Sequence, residues 1–236
     1  MDREPTIIPM GGGGFSMEPE NLALDRYILS HAGVPQPKVS FVPTASGDSE
    51  GYIERFYAAY GKLPCEPTHL SLFRRDIADL REYVLSQDVV YVGGGNCWNM
   101  LHLWRAHGLD EILREAWQSG VIMCGLSAGS ICWFEQGTTD SFGLPLQPLT
   151  NGLGFLEGSH CPHYDGEVYR RPHYLGLVGD GTLLDGLALD DLVGVRFVNS
   201  EPVECVASRA GAHAYRVNNS KEGAVETPIE PTLLSE

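Results

Sequence analysis

Short apolar runs alternate with amphipathic stretches through the first two-thirds of the chain. Residues 6–10 read as a strand closed by Gly11, Gly12, Gly13 and Gly14. Residues 21–31 carry Leu22, Leu24, Tyr27, Ile28 and Leu29 on helical spacing, and Gly33 stops them. Residues 38–43 form a second strand pattern, followed by the polar turn Thr44-Ala45-Ser46-Gly47-Asp48 and a helix pattern over residues 50–60. A short strand is expected at residues 69–73, a helix at 77–85, and a strand at 89–92 ending in Gly93-Gly94-Gly95-Asn96. Residues 98–107 and 109–118 read as one interrupted helical region. The apolar run Val121-Ile122-Met123-Cys124 then leads into Gly125-Leu126-Ser127-Ala128-Gly129, with helix expected over residues 128–135.

This alternation is the pattern of β-α-β units and a parallel sheet, whose sites form beyond the carboxyl ends of the strands. The loops at Gly11, Thr44, Gly93 and Ser127 should therefore gather on one edge. The last third differs. Residues 193–199, 202–207 and 212–217 are short β-like runs, expected as antiparallel additions at the sheet edge. From Asn218 the composition is polar with two prolines, which reads as a loose tail. With no internal repeat or linker, residues 1–236 are expected to form one domain.

Composition narrows the partners. The 236 residues hold 43% hydrophobic side chains, enough for a sizeable core. The net charge of -15, from 16 basic and 31 acidic residues, argues against a nucleic-acid backbone or an anionic membrane as the main partner. No stretch approaches the roughly 20 apolar residues needed to span a bilayer, and Met1-Asp2-Arg3-Glu4-Pro5 does not open a signal peptide. The six cysteines include no C-x-x-C pair, so a reducing cytoplasm is the simplest compartment.

The pentapeptide around Ser127 carries the candidate chemistry. A serine between a strand end and a helix start sits on a tight elbow, and the glycines two residues either side let backbone pass close by. A serine hydroxyl needs a base, a group to orient that base, and donors for the developing oxyanion. Of eight histidines, His31, His69, His102, His107 and His213 sit where structural roles suffice. His160, His163 and His173 are the stronger candidates, and His163 leaves its strand just after Pro162. Asp140, beyond the elbow helix, is the expected orienting acid, with Glu135 as runner-up; Asp165 and Glu167 are close to His163 in sequence alone. The Ala128 N–H and the run Gly93-Gly94-Gly95-Asn96 are candidate oxyanion donors. His160, Cys161, His163 and His173 allow a zinc reading, but histidines three apart around a proline in an extended segment point different ways. No metal or cofactor is expected. An esterase and a non-catalytic binding protein on the same fold stand as alternatives; only 36 residues separate Ser127 from His163, and no HGGG-type loop precedes the elbow.

Tyr91-Val92-Gly93-Gly94-Gly95-Asn96, the elbow from Gly125 to Gly129, Thr138-Thr139-Asp140 and Pro162-His163-Tyr164 occur in an order and spacing that resemble the S51 serine peptidases, the family of peptidase E and cyanophycinase. The resemblance extends over roughly residues 5–210. It implies a class I glutamine-amidotransferase-like α/β fold, a mostly parallel sheet flanked by helices with C-terminal antiparallel edge strands. It implies Ser127 as nucleophile, His163 as base and Asp140 as third member, with Gly95 and Ala128 as oxyanion donors. Peptidase E holds an N-terminal aspartate through an arginine downstream of the histidine. Arg170 and Arg171 lie in that direction, and with Asn96 they are the expected substrate contacts. The expected partner is a small peptide, with a homodimer left open.

Overall fold

In a computed structural model, residues 3–235 are described. The elements run β1 (Thr6–Met10), α1 (Ala23–Ser30), β2 (Lys38–Val42), α2 (Glu50–Tyr60), β3 (Glu66–His69), α3 (Leu80–Leu85), β4 (Val89–Val92), α4 (Cys97–His107), α5 (Leu109–Gln118), β5 (Ile122–Leu126) and α6 (Ala128–Ile131). There follow β6 (Phe134–Thr139), β7 (Gln147–Leu149), β8 (Leu156–Cys161), α7 (Arg170–Gly179), β9 (Gly186–Leu189), β10 (Val193–Val198), β11 (Glu201–Ala207), β12 (Ala214–Ser220), β13 (Gly223–Ile229) and β14 (Thr232–Leu233).

The strands form two sheets. The larger has eight, in the order β14-β11-β10-β1-β5-β4-β2-β3, and the smaller has six, in the order β13-β12-β9-β8-β6-β7. Strands β1, β5, β4, β2 and β3 pair in parallel, while β10 and β11 add antiparallel on the β1 side. Strands β1, β4 and β5 are buried along their whole length, as a central parallel strand covered on both faces must be. One face packs on Met100, Trp104, Trp117 and Trp133; the other packs on Phe15, Phe41, Phe56, Tyr60 and Tyr91. The expected α/β architecture with antiparallel edge strands is present, with helices flanking mixed sheets.

Several boundaries differ from those read in the sequence. The helix after the elbow lasts only to Ile131, because Trp133 and Phe134 turn inward and open β6, so Glu135 is a strand residue. Strand β3 lies at Glu66–His69 rather than at 69–73. The interruption between α4 and α5, by contrast, falls at Gly108 as the sequence reads it, and the φ of 66° there takes the left-handed turn. The tail expected from Asn218 is instead ordered hairpin: β12 and β13 pair antiparallel from Ala214↔Ile229 to Ser220↔Gly223. Its residues alternate between half-buried and exposed, an edge-strand pattern with too few apolar positions to stand out.

All six cysteines are free; Cys97, Cys124, Cys132 and Cys161 are buried, and Cys65 and Cys205 are half-buried. Among the described residues, no helix is long and apolar enough to cross a membrane.

Candidate active site

Strand β5 ends at Leu126 and Ser127 follows with φ 55° and ψ -120°, a backbone conformation that an L-residue adopts only under constraint. The glycines of the pentapeptide supply that constraint. A Cβ at Gly125 would lie 2.5 Å from the Val92 carbonyl oxygen and 2.4 Å from that of Gly129, and one at Gly129 would lie 2.2 Å from Val92 O. The elbow is thus pressed against the end of β4. The loop leaving β4 reaches the serine itself: a Cβ at Gly94 would lie 3.1 Å from Ser127 Cβ and 3.6 Å from Ser127 Oγ.

His163 lies two residues beyond the end of β8, at φ 53°. Its Nδ1 is 2.6 Å from Asp191 Oδ1, and both side chains are mostly covered. The carboxylate accepts the Nδ1–H, so Nε2 carries no proton in the neutral ring. Asp191 lies two residues beyond the end of β9, which pairs in parallel with β8 through Cys161↔Ala188. The β8–α7–β9 crossover therefore brings two strand ends, and with them His163 and Asp191, side by side. The acid is held on several sides. Its N–H donates to Asp165 Oδ1 at 2.7 Å, Asp165 pairs with Arg209, and Gly12 and Gly166 leave room for its carboxylate: a Cβ on either would fall within 2.3 Å of it.

Gly12 also links the pair to the elbow. A Cβ there would lie 3.1 Å from His163 Cε1. Gly12 follows Met10 by two residues, Ser127 follows Leu126 by one, and Met10↔Leu126 are register partners in the neighbouring strands β1 and β5. Adjacent strands run about 5 Å apart. The serine and the imidazole thus share one edge of the molecule. Among the described residues neither Ser127 Oγ nor His163 Nε2 has a hydrogen-bond partner, and the N–H groups of Gly95 and Ala128 donate to nothing.

Other residues singled out in the sequence are placed elsewhere. Asp140 is exposed after β6, and among the described residues its carboxylate bonds nothing; Asp191, not Asp140, meets His163. The Glu135 carboxylate accepts from the Gly158 N–H at 2.9 Å, and Glu167 pairs with Arg170. Arg170 is buried, with Nε 2.7 Å from Glu167 Oε2 and Nη1 toward Thr138 O. Arg171 pairs with Glu226 of β13 and lies over the Tyr164 and Tyr215 rings at 5.2 and 5.0 Å. Asn96 caps α4: its Oδ1 accepts from the Asn99 N–H at 2.8 Å, and its Nδ2 donates to Ser141 O at 2.9 Å. Arg170 is buried in its pair and Asn96 is engaged as a cap, while Arg171 is tied to Glu226 through Nη2 and remains partly exposed. His160 is fully buried and bonds Ser130 and Leu187, away from His163 and its partner. Asp191 escaped the sequence reading, although a signal was present: the apolar Leu187-Ala188-Leu189 ends in Asp190-Asp191, as a strand with acids at its carboxyl end would.

The fold is an α/β architecture with a strained serine elbow and a His–Asp pair on one edge. The family model described as "Peptidase family S51" matches residues 7–203, and the chain belongs to peptidase family S51. It is 55% identical over 228 residues to the "Uncharacterized peptidase YgaJ" of Bacillus subtilis, covering 97% of this chain and 98% of that one. It is 26% identical over 171 residues to a peptidase E of Shewanella denitrificans, covering 66% of this chain and 71% of that one. A solved peptidase from an acI-B1 actinobacterium shares the fold at a TM-score of 0.71 and 20% identity, covering 98% and 96% of the two chains. So does a solved peptidase E-type protein of Listeria monocytogenes, at 0.63 and 16%, covering 85% and 97%.

Proposed function

We propose that this chain is a serine peptidase of short peptides that forms its acyl-enzyme on Ser127. The observation that carries the reading is the constrained Ser127 elbow on the same edge as an imidazole held by a carboxylate, His163–Asp191. Ser127 Oγ attacks the scissile carbonyl carbon while His163 Nε2 takes the hydroxyl proton. Asp191 keeps the proton on Nδ1, so that Nε2 is the basic nitrogen, and stabilises the imidazolium that forms. The oxyanion is received by the N–H groups of Ala128, at the start of α6, and Gly95. The imidazolium then protonates the leaving amine and the C–N bond breaks. Water, deprotonated by His163, attacks the acyl ester, and the imidazolium returns that proton to Ser127 Oγ as the C–O bond breaks, releasing the acid and the free serine.

The same reading includes substrates whose side chain beside the scissile bond is uncharged rather than aspartyl. Arg170 and Arg171 already hold Glu167 and Glu226, so a substrate carboxylate would compete with a carboxylate of the chain itself. The loops after β6 and after His163 carry exposed Phe142, Leu144, Val168 and Tyr169, and they line an open groove of about 480 Å³ whose acids are Asp140 and Glu167. In this reading the groove receives the substrate side chain, where its apolar residues favour apolar groups and its two acids repel acidic ones.

The test is hydrolysis of a dipeptide series by the wild type and Ser127→Ala, with intact mass measured after a fluorophosphonate. Leu-Leu is expected to be cleaved at least tenfold faster in kcat/KM than Asp-Leu, with a single adduct on Ser127 and several orders of magnitude lost in the alanine variant. Undiminished turnover by Ser127→Ala sinks the mechanism; preference for Asp-Leu sinks the specificity alone.

A further inference from the structure

A serine–histidine contact lies directly behind the elbow. His160 is fully buried on β8, its ring stacked on Phe134 at 4.6 Å and 13°. Its Nδ1 is 2.9 Å from Leu187 O, on β9, and its Nε2 is 3.0 Å from Ser130 Oγ, in the first turn after Ser127. Leu187 O can only accept, so Nδ1 carries the proton. Burial pushes the imidazole pKa down to about 3, so the ring is neutral and Nε2 is a bare acceptor. The Ser130 hydroxyl has one proton and two neighbours, Nε2 and the Ser127 carbonyl oxygen at 2.8 Å. That carbonyl already receives the N–H groups of Ser130 and Ile131 at 2.9 and 3.0 Å, whereas Nε2 has no other donor among the described residues. The hydroxyl donates to the Ser127 carbonyl oxygen and stands within hydrogen-bond distance of the bare Nε2, so its one proton is shared between the elbow and His160.

This contact joins the two halves of the site. Ser127 stands on the eight-stranded sheet; His163 and Asp191 stand at the ends of β8 and β9, in the six-stranded one. We propose that His160 is a positioning residue: through the Ser130 hydroxyl it fixes the Ser127 elbow relative to the strand ends that carry His163 and Asp191. This rests on the acyl-enzyme reading above. His160 touches no reacting atom and takes no part in the proton transfers.

The test uses Ser130→Ala, Ser130→Cys and His160→Phe, which keeps a ring against Phe134. Misplacement by about 1 Å can cost on the order of a hundredfold in rate. Ser130→Ala and His160→Phe are expected to lose roughly 10- to 100-fold in kcat on Leu-Leu, with KM within about threefold. The pH profile of kcat/KM should keep the wild-type midpoint. Ser130→Cys, with a weaker donor, should fall between alanine and wild type, and it carries the test if the alanine variant does not fold. Overturning results are a folded Ser130→Ala with kcat within twofold of wild type, a cysteine variant no better than alanine, or activity lost only in proportion to the unfolded fraction by circular dichroism. If the wild type cleaves no dipeptide and takes no fluorophosphonate at Ser127, the function reading itself fails, which is a different outcome.

Discussion

At the scale of single residues, the sequence singles out two groups whose surroundings are local. Ser127 lies inside its own pentapeptide and His163 just past a proline at a strand end. Asp191 is 28 positions beyond His163 and meets it only because β8 and β9 are parallel neighbours, a fact of topology that no local window contains. Asp191→Asn is expected to keep the shape and lose about 10⁴-fold in kcat, because the imidazole is then held in the wrong tautomer. Asp140→Asn should stay within about threefold; steady-state kinetics on one dipeptide compares them, and the reverse ranking returns the third position to Asp140. Two buried groups make opposed contributions to stability. Asp25, beneath the Gly14 turn and accepting from the Tyr60 hydroxyl at 3.0 Å, has its pKa pushed up to about 7 by burial. Between about pH 4 and 7 the folded state keeps a proton there that the unfolded state gives up, so stability falls as pH rises. His160, at about 3, refuses a proton that the unfolded chain accepts below about 6.5, so stability falls as pH drops. The two slopes largely cancel between about pH 4 and 6.5. In urea melts, Asp25→Asn should gain on the wild type as pH rises to 7, and His160→Phe should gain as pH falls toward 3. A pH-independent difference in both would refute the assignment.

At the scale of elements, strong periodicity was legible and weak periodicity was not. Residues 50–60 and 89–92 fall where the pattern puts them, because fully buried strands and one-faced helices leave a clear trace. The elbow helix was overestimated because Ile131, Cys132 and Trp133 suit a buried helix and a buried strand equally. The loop leaving β4 is the element on which the site is most exposed to a small change. Gly94, unlike Gly95 with its φ of 136°, has a backbone that an alanine can adopt, yet its methyl would sit 3.1 Å from Ser127 Cβ and 3.2 Å from Leu126 Cδ1. Gly94→Ala is therefore expected to lose at least tenfold in kcat/KM while its melting temperature moves by only a few degrees. Equal activity would place the loop away from the reacting serine.

At the scale of the molecule, the family match ends at residue 203 while regular structure continues to Leu233. The β12–β13 hairpin completes the six-stranded sheet, and its Glu226 accepts from the Tyr164 hydroxyl at 2.6 Å and pairs with Arg171. Ending the chain at residue 221 removes β13 and Glu226 and leaves β12 as an open edge. Several degrees of melting temperature should be lost, and an unchanged melting curve would restore the reading of a loose tail. The distribution of sulfur has a consequence for how such a molecule can be interrogated. Burial pushes the thiols of Cys65 and Cys161 up to about 11, those of Cys97 and Cys205 to about 12, and those of Cys124 and Cys132 well above the usual range. At neutral pH the native thiols are therefore almost wholly protonated and slow toward alkylating agents. Replacing Ser127 by cysteine would place a single ionisable sulfur beside His163 against a silent background. One equivalent of iodoacetamide taken up in minutes, and none by the wild type, would count the competent sites in a preparation without any knowledge of the natural peptide.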